Sequence, residues 1–292
     1  MNEHAFSFSI ARLSDYSELA KLRLVSLVLL SSAVGFFLAG SGPINAPLFF
    51  ISLLGTGLVA AGSMTLNQWI ERAEDSKMTR TATRPLPAGR MQALEAFIFG
   101  IILSAAGLGI LIVAVNMCAA FLAGLTLVSY TLLYTPLKRY TSLCTIIGAV
   151  PGALPPLIGW AAIADRPSFE AWILFAILFL WQMPHFLTIA WFCRNDYAAA
   201  GFRMLSVEDP TGMRVARQIV LYSMALLPVS LLPTVAGLTG PVYFFGALVS
   251  GIFFIFLGIK SFKNLDQKAR MLFRASILHL AFLLILMVLD KA

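Results

Sequence analysis

Nine stretches of apolar residues, each long enough to cross roughly 30 Å of hydrocarbon as a helix, run through this chain at about 22–40, 47–69, 93–115, 117–136, 142–163, 168–192, 216–236, 241–261 and 271–289. A backbone in lipid must satisfy its own hydrogen bonds, so uninterrupted runs of this length are expected to be helices. The chain is therefore expected to be an all-α polytopic membrane protein, nine transmembrane helices in one bundle. Short links at Ser41-Gly42-Pro43, at Asn116 and at Gly240-Pro241 predict tight hairpins. Residues 1–21 are polar enough for a cytoplasmic N-terminal arm, with a short interfacial helix through Leu13, Tyr16, Leu19 and Ala20. Residues 22–292 are expected to form a single transmembrane domain.

Charge placement tests the span count. With the N-terminus in the cytoplasm, 19 of the 21 Lys and Arg residues fall on inside segments, and only Arg166 and Lys291 lie outside. The C-terminus is then on the opposite side. The formal charge of +7 would suggest nucleic acid in a soluble protein; here topology explains it, and no nucleic-acid partner is expected. Charged residues make up 12% of the chain, hydrophobic ones 59%, and the mean hydropathy is +0.86, which excludes an ordinary soluble domain. Glu3, Asp15 and Glu18 precede the first span, so a cleavable signal peptide is not expected. Cys118, Cys144 and Cys193 show no CxxC spacing and are expected to pack in the core.

The densest polar segment runs from Asn67 to Arg90, with three of the fourteen carboxylates and five of the Lys and Arg residues. At about 100° per residue, Asn67, Glu71 and Asp75 follow one helical stripe, and Glu74 falls on the same stripe. Two carboxylates and an amide oxygen suit Mg²⁺, which is held by few protein ligands together with water and phosphate oxygens. Lys77, Arg80 and Arg84 follow at once, then Pro85-Leu86-Pro87-Ala88-Gly89 turns the chain back. Acids followed by bases match a metal–diphosphate. The competing reading is a solvated helix end, its acids paired with Arg72, Lys77 and Arg80. An amide inside an apolar run argues against that reading, because lipid offers it no partner.

The pattern Asn67-x-x-x-Glu71-x-x-x-Asp75-x-x-Met78-x-Arg80-Thr81-x-x-Arg84-Pro85-Leu86-Pro87 resembles the first acidic motif of the UbiA-type intramembrane prenyltransferases. So do Tyr134-Thr135-Pro136-Leu137-Lys138-Arg139, the Gly- and Pro-rich run from Gly148 to Trp160, Trp181-Gln182-Met183-Pro184-His185-Phe186, and the run from Asp196-Tyr197 to Met204-Leu205. The likeness covers about residues 15–215 and follows the branch that farnesylates haem. It implies transfer of farnesyl from farnesyl diphosphate to the 2-vinyl group of haem b, with addition of water, giving haem O for terminal oxidases. It also implies Mg²⁺ as cofactor, a bacterial inner membrane, and haem A synthase or terminal-oxidase assembly as partners. By resemblance Glu71 ranks above Glu74, and Asn67, Glu71 and Asp75 hold the metal. Lys77, Arg80, Arg84, Lys138 and Arg139 take the diphosphate. Asn67, Glu71, Asp75, His185 and Asp196 are the expected catalytic set, and His185, Trp181, Tyr197 and Arg23 the acceptor side.

If the sixth span continues as a helix, His185 and Asp196 are eleven residues apart and about 20° in phase. The other histidines, His4 and His279, have no polar neighbours that suggest a site. Where the family has an aspartate-rich second motif, this chain offers His185, Asn195 and Asp196, with Glu208 and Asp209 farther on; a second metal site of the usual kind is not supported. His185 is left open between an iron ligand and an acid/base near the vinyl group. At Lys21-Leu22-Arg23 the family commonly has Lys-Pro-Arg, a departure expected to alter the start of the helix rather than the chemistry. Lys21 and Arg23 remain candidates for anionic groups. The rival readings are a sister enzyme acting on a quinone precursor or chlorophyllide, a non-catalytic haem-binding assembly factor, and a multi-pass transporter. A transporter would place its polar groups near the bilayer midplane, whereas here they collect at one face.

Overall fold

In the computed structural model, residues 3–262 and 264–292 are described, with side chains from residue 12 onward. The side chains of Glu3 and His4, and Lys263 as a whole, lie outside the described residues. Most of the described residues are helical. The elements are α1 (Glu3–Ala20), α2 (Leu22–Ala39), α3 (Ala46–Ile70), α4 (Arg72–Asp75), α5 (Ala93–Ala114), α6 (Met117–Val128), a π-helical turn (Ser129–Tyr134) and α7 (Thr135–Leu137). They continue as α8 (Cys144–Ala153), α9 (Pro155–Ala164), α10 (Phe169–Phe192), α11 (Arg194–Ala200), α12 (Leu205–Glu208), α13 (Met213–Val235), α14 (Pro241–Ser261) and α15 (Leu265–Leu289).

Among the described residues, nine segments are long and apolar enough to cross a membrane, as the hydrophobic runs predict. The fourth joins α6 to α7 through the π-helical turn, and the fifth joins α8 to α9 at Leu154, beside Pro151, Pro155 and Pro156. The ninth begins at Leu265, six residues before its apolar run, because Asn264 caps it by accepting from the Gln267 N–H at 3.2 Å. Two other asparagines cap helices in the same way, Asn45 for Leu48 and Asn116 for Ala119, which sets the hairpin turns legible in the sequence.

With lipid as apolar as the side chains, helices associate through close packing rather than water exclusion, and small residues let backbones approach. A methyl group added at Gly159 of α9 would strike the Ser32 carbonyl of α2. One added at Gly62 of α3 would lie 2.8 Å from the Gly100 carbonyl oxygen of α5.

The arm is less peripheral than an interfacial helix. Leu13 is exposed as expected, but Leu19 is fully buried and the Tyr16 ring packs on Phe99 at 4.7 Å. Tyr16 and Arg12 both bond Glu95, Arg90 reaches Asp15 and Glu18, and Gln68 Nε2 donates to the Glu18 and Leu19 carbonyls at 3.1 and 2.9 Å. The arm is thereby tied to α3, α5 and the Asn67–Arg90 segment. Lys21, between α1 and α2, takes a left-handed conformation (φ 49°, ψ 51°) that is costly for a residue with a side chain. The ammonium of Lys291, at the opposite end, donates to the Phe37 carbonyl at 2.6 Å and to that of Gly40, pinning the C-terminus to the first hairpin.

Candidate functional site

Glu71 ends α3 with φ −91° and ψ 9°, yet the Glu71 N–H still donates to the Asn67 carbonyl at 2.9 Å and that of Asp75 to the Glu71 carbonyl at 2.7 Å. The helical phase therefore survives the break, and the acidic stripe persists. Asn67, Glu71 and Asp75 are 2%, 4% and 1% exposed. Each has a partner from another part of the chain or from the following turn. Asn67 Oδ1 accepts from Lys21 Nζ and its Nδ2 donates to Thr135 Oγ1, both at 3.1 Å. Glu71 Oε1 lies 2.7 Å from Lys138 Nζ. Asp75 Oδ2 accepts from Arg84 Nη1 at 2.7 Å, and Glu74 turns away to Arg139 Nη2 at 2.9 Å.

Three bases thus meet three acids at the end of α3. Burial, with Arg84 and Lys138 close by, brings the Lys21 ammonium down to about 7, while Glu71 and Asp75 oppose the change. For Lys138 burial works the same way, but Glu71 together with Tyr134 and Tyr130 outweighs it and holds the ammonium well above its ordinary value. Lys138 also lies over the Tyr134 ring at 4.5 Å and the Phe202 ring at 5.7 Å. The acids are not saturated by these partners. Asp75 Oδ1 and Glu74 Oε2 are buried with no hydrogen bond, a costly state for a carboxylate oxygen and the kind of donor a hard cation seeks. Among the described residues no preassembled group of three His, Cys, Asp or Glu side chains surrounds a metal-sized space. A cation here would take Asp75, Glu71 and ligands from a bound substrate or water.

The remaining diphosphate candidates divide. Lys77 and Arg80 are exposed on the turn after α4; Arg80 lies beside Cys193 and Tyr197. Arg139 stays on the outer side, with Glu74 and the Ile70 carbonyl. Asp196 Oδ1 accepts from both the Thr79 N–H (3.1 Å) and Thr79 Oγ1 (2.8 Å), which bridges the two longest loops. The Arg203 N–H donates to the Lys138 carbonyl at 2.7 Å, and Met78 packs with Cys144, Ala190, Ala200, Phe202 and Met204 beneath. Tyr197 is in this layer, its phenol pushed up by burial, with Lys138 and Arg80 pulling the other way. Asp209 caps α13 by accepting from the Val215 N–H at 3.0 Å, while Asn195 and Glu208 are exposed.

One expectation needs correction. The sixth span does not continue to Asp196: α10 ends at Phe192, Cys193 turns the chain (φ −99°, ψ 12°), and α11 starts at Arg194. As at Glu71, the N–H groups of Cys193 and Tyr197 still donate to the Ile189 and Cys193 carbonyls, at 3.0 and 3.1 Å, but His185 and Asp196 meet different partners. His185 faces α15, where its Nδ1 is 2.8 Å from Ser276 Oγ, and Trp181 Nε1 donates to the Ser276 carbonyl at 2.6 Å. Arg23 is exposed on α2, and Lys21 rather than Arg23 enters the acidic cluster. Ser276 carries no signal in the sequence and Thr135 only its place in the Tyr134–Arg139 motif, since the role of each lies in what other helices bring to it.

The UbiA prenyltransferase family model matches residues 28–285. A protoheme IX farnesyltransferase of Solibacter usitatus (strain Ellin6076) is 46% identical over 95% of this chain and 98% of its own length. Another protoheme IX farnesyltransferase, of Koribacter versatilis (strain Ellin345), is 42% identical over 96% of this chain and 94% of its own length. Two solved structures share the fold. A digeranylgeranylglyceryl phosphate synthase superposes with a TM-score of 0.81 at 18% identity, covering 96% of this chain and 98% of that one. A UbiA homologue from Archaeoglobus fulgidus bound to DMAPP and Mg²⁺ gives 0.69 at 15% identity, covering 94% and 99%.

Proposed function

The chain belongs to the UbiA prenyltransferase family, and from that premise we propose that it transfers the farnesyl group of farnesyl diphosphate to the 2-vinyl group of haem b, with addition of water, yielding haem O. The observation that carries this reading is the near-full-length identity to protoheme IX farnesyltransferases, in a chain whose buried acids and bases gather at one end of an apolar bundle. Residues 22–292 act as one prenyltransferase domain and residues 1–21 as its cytoplasmic arm. The membrane is the bacterial inner membrane, with the charge-rich end in the cytoplasm and the C-terminus across the bilayer; the excess of Lys and Arg on that end supports this orientation.

Farnesyl diphosphate is an amphiphile whose tail belongs in the bundle and whose head belongs among these charges. Glu71 and Asp75, with Asn67 beside them, would hold Mg²⁺, and the unpartnered Asp75 oxygen is the best-fitted donor. Bound there, the ion would supply positive charge to the leaving diphosphate. For Asn67 to contribute, its Oδ1 must exchange Lys21 for the metal. Lys138 and Arg84, which neutralise Glu71 and Asp75 in this structure, would turn to the diphosphate oxygens, joined by Lys77, Arg80 and Arg139. Cations fixed where negative charge accumulates form the largest catalytic contribution expected of such a site. Asp196 holds the second loop against the first through Thr79, and His185, Trp181 and Tyr197 form the acceptor side.

The deciding experiment incubates the detergent-purified protein with haem b, farnesyl diphosphate and Mg²⁺ and reads the products by mass spectrometry. A haem adduct heavier by farnesyl plus water supports the proposal. Prenylation of a phenolic acid without any haem adduct overturns it.

A further inference from the structure

His185 stands on α10 seven residues from its end at Phe192, about 10 Å into the span at 1.5 Å per residue. Its partners determine its protonation. Ser276 Oγ donates to the Phe273 carbonyl at 2.7 Å. A hydroxyl has one proton, so toward His185 Nδ1, at 2.8 Å, the same oxygen accepts. With the Ser276 hydroxyl turned to the Phe273 carbonyl in this way, Nδ1 carries the proton. Nε2 has no hydrogen-bond partner among the described residues, and in that tautomer it presents a bare lone pair. The ring plane is held as well: Trp181 and Phe273 stack against it with centroids at 4.8 and 5.0 Å and interplanar angles of 23° and 29°. Trp181 is in turn anchored by Nε1 on the Ser276 carbonyl.

An imidazole whose far nitrogen donates to a fixed oxygen, with the near one unprotonated and the ring immobilised, is the arrangement that metal-binding histidines show in their outer shell. The contrast with His279 is instructive. That ring lies flat against Phe254 at 5.2 Å with both nitrogens sealed and unpartnered, whereas His185 is only half-buried and its Nε2 is not sealed. Toward the charge-rich end of α15, the exposed Arg270 precedes Phe273 by three residues on the same helical face, and no acid pairs with it among the described residues. A planar, iron-bearing molecule held at Nε2 would lie across the edges of the His185, Trp181 and Phe273 rings, with Arg270 toward the charge-rich end as a cation for carboxylates on its edge.

We propose that His185 Nε2 is the axial ligand to the iron of the haem acceptor, and that Ser276 is the positioning residue that sets its tautomer and ring plane. The inference rests on the reading that haem b is the acceptor. It assigns His185 to holding the substrate, in place of proton transfer at the vinyl group.

The test is ferric haem b titrated into the detergent-purified protein, followed by the Soret band and electron paramagnetic resonance, with farnesylation measured separately by mass spectrometry. Wild type is expected to give a histidine-ligated spectrum. His185→Ala should lose that signature, bind haem at least tenfold more weakly, and regain the ligated spectrum when imidazole is added, which a misfolded variant would not do. Ser276→Ala should weaken haem binding by about tenfold, the lower end of the effect of losing an outer-shell partner, while Ser276→Thr restores it. An unchanged ligand signature in His185→Ala, in a protein that still farnesylates haem, overturns the ligand assignment and leaves the function standing. Equal affinity and spectra in Ser276→Ala and wild type overturn the positioning role. A wild-type protein that neither binds nor farnesylates haem overturns the acceptor reading itself.

Discussion

Replacing Asp75 by Asn removes one negative charge and almost no volume at a site that is 1% exposed. The pair it forms with Arg84, 2.7 Å apart and with the Arg84 side chain 19% exposed, is largely desolvated. Removing one member of a buried pair costs about 3–5 kcal/mol when the partner is stranded. Here the cost is expected to be smaller, because an amide oxygen still accepts from Arg84 and the guanidinium is not sealed. The variant should insert and fold, with a modest loss of thermal stability in detergent. Catalysis should suffer more. Asp75 Oδ1 is a buried oxygen without a hydrogen bond and the strongest candidate to hold the metal of a metal–diphosphate, so its loss removes a transition-state contact worth about 10²–10³ in turnover, or about 2.7–4 kcal/mol. The assay is initial-rate formation of the farnesylated haem at saturating haem b, with farnesyl diphosphate and Mg²⁺ each varied. Turnover should fall by that factor, and the Mg²⁺ concentration for half-maximal rate should rise. Near-normal turnover in a folded Asp75→Asn, with unchanged Mg²⁺ dependence, would falsify the metal assignment.

Glu71→Gln should reduce turnover by at least tenfold more than Glu74→Gln, because Glu71 faces buried Lys138 while Glu74 faces half-exposed Arg139; equal losses in the same assay would remove the distinction. Gly159→Val should lower the detergent melting temperature by several degrees, since the added atoms strike the Ser32 carbonyl and overpacking costs about 1–3 kcal/mol; an unchanged melting curve would show that α2 and α9 can separate freely. Arg90→Ala breaks two ion pairs to the arm, but its side chain is 41% exposed, so a change of less than about 1 kcal/mol is expected; a collapse in expression or melting temperature would mean that the arm contributes far more than its exposed contacts indicate.

The span count and the acidic stripe were legible because both depend on short-range periodicity. A run of about twenty apolar residues in lipid has one outcome, and residues four apart remain neighbours on a helix even where it breaks, as at Glu71. Which partners His185 and Asp196 meet is something the periodicity could not supply. Cys193 turns the chain so that Asp196 reaches Thr79, and the contact closing that turn comes from a loop more than a hundred residues earlier.

What this sequence determined by itself, then, was the class of fold and the kind of chemistry: nine apolar spans, an island of acids and bases at the end of the second, and motifs in family order. Tertiary structure alone decided the pairings. It put Lys21 rather than Arg23 against Asn67, set Lys138 on Glu71, left one oxygen of Asp75 without a partner, and aimed His185 at a serine on the last helix. The physical reason is that apolar pattern and helical phase are properties of neighbouring residues. The direction of a buried hydrogen bond or ion pair is fixed only when distant segments, each satisfied along its own backbone, close around groups that lipid will not solvate.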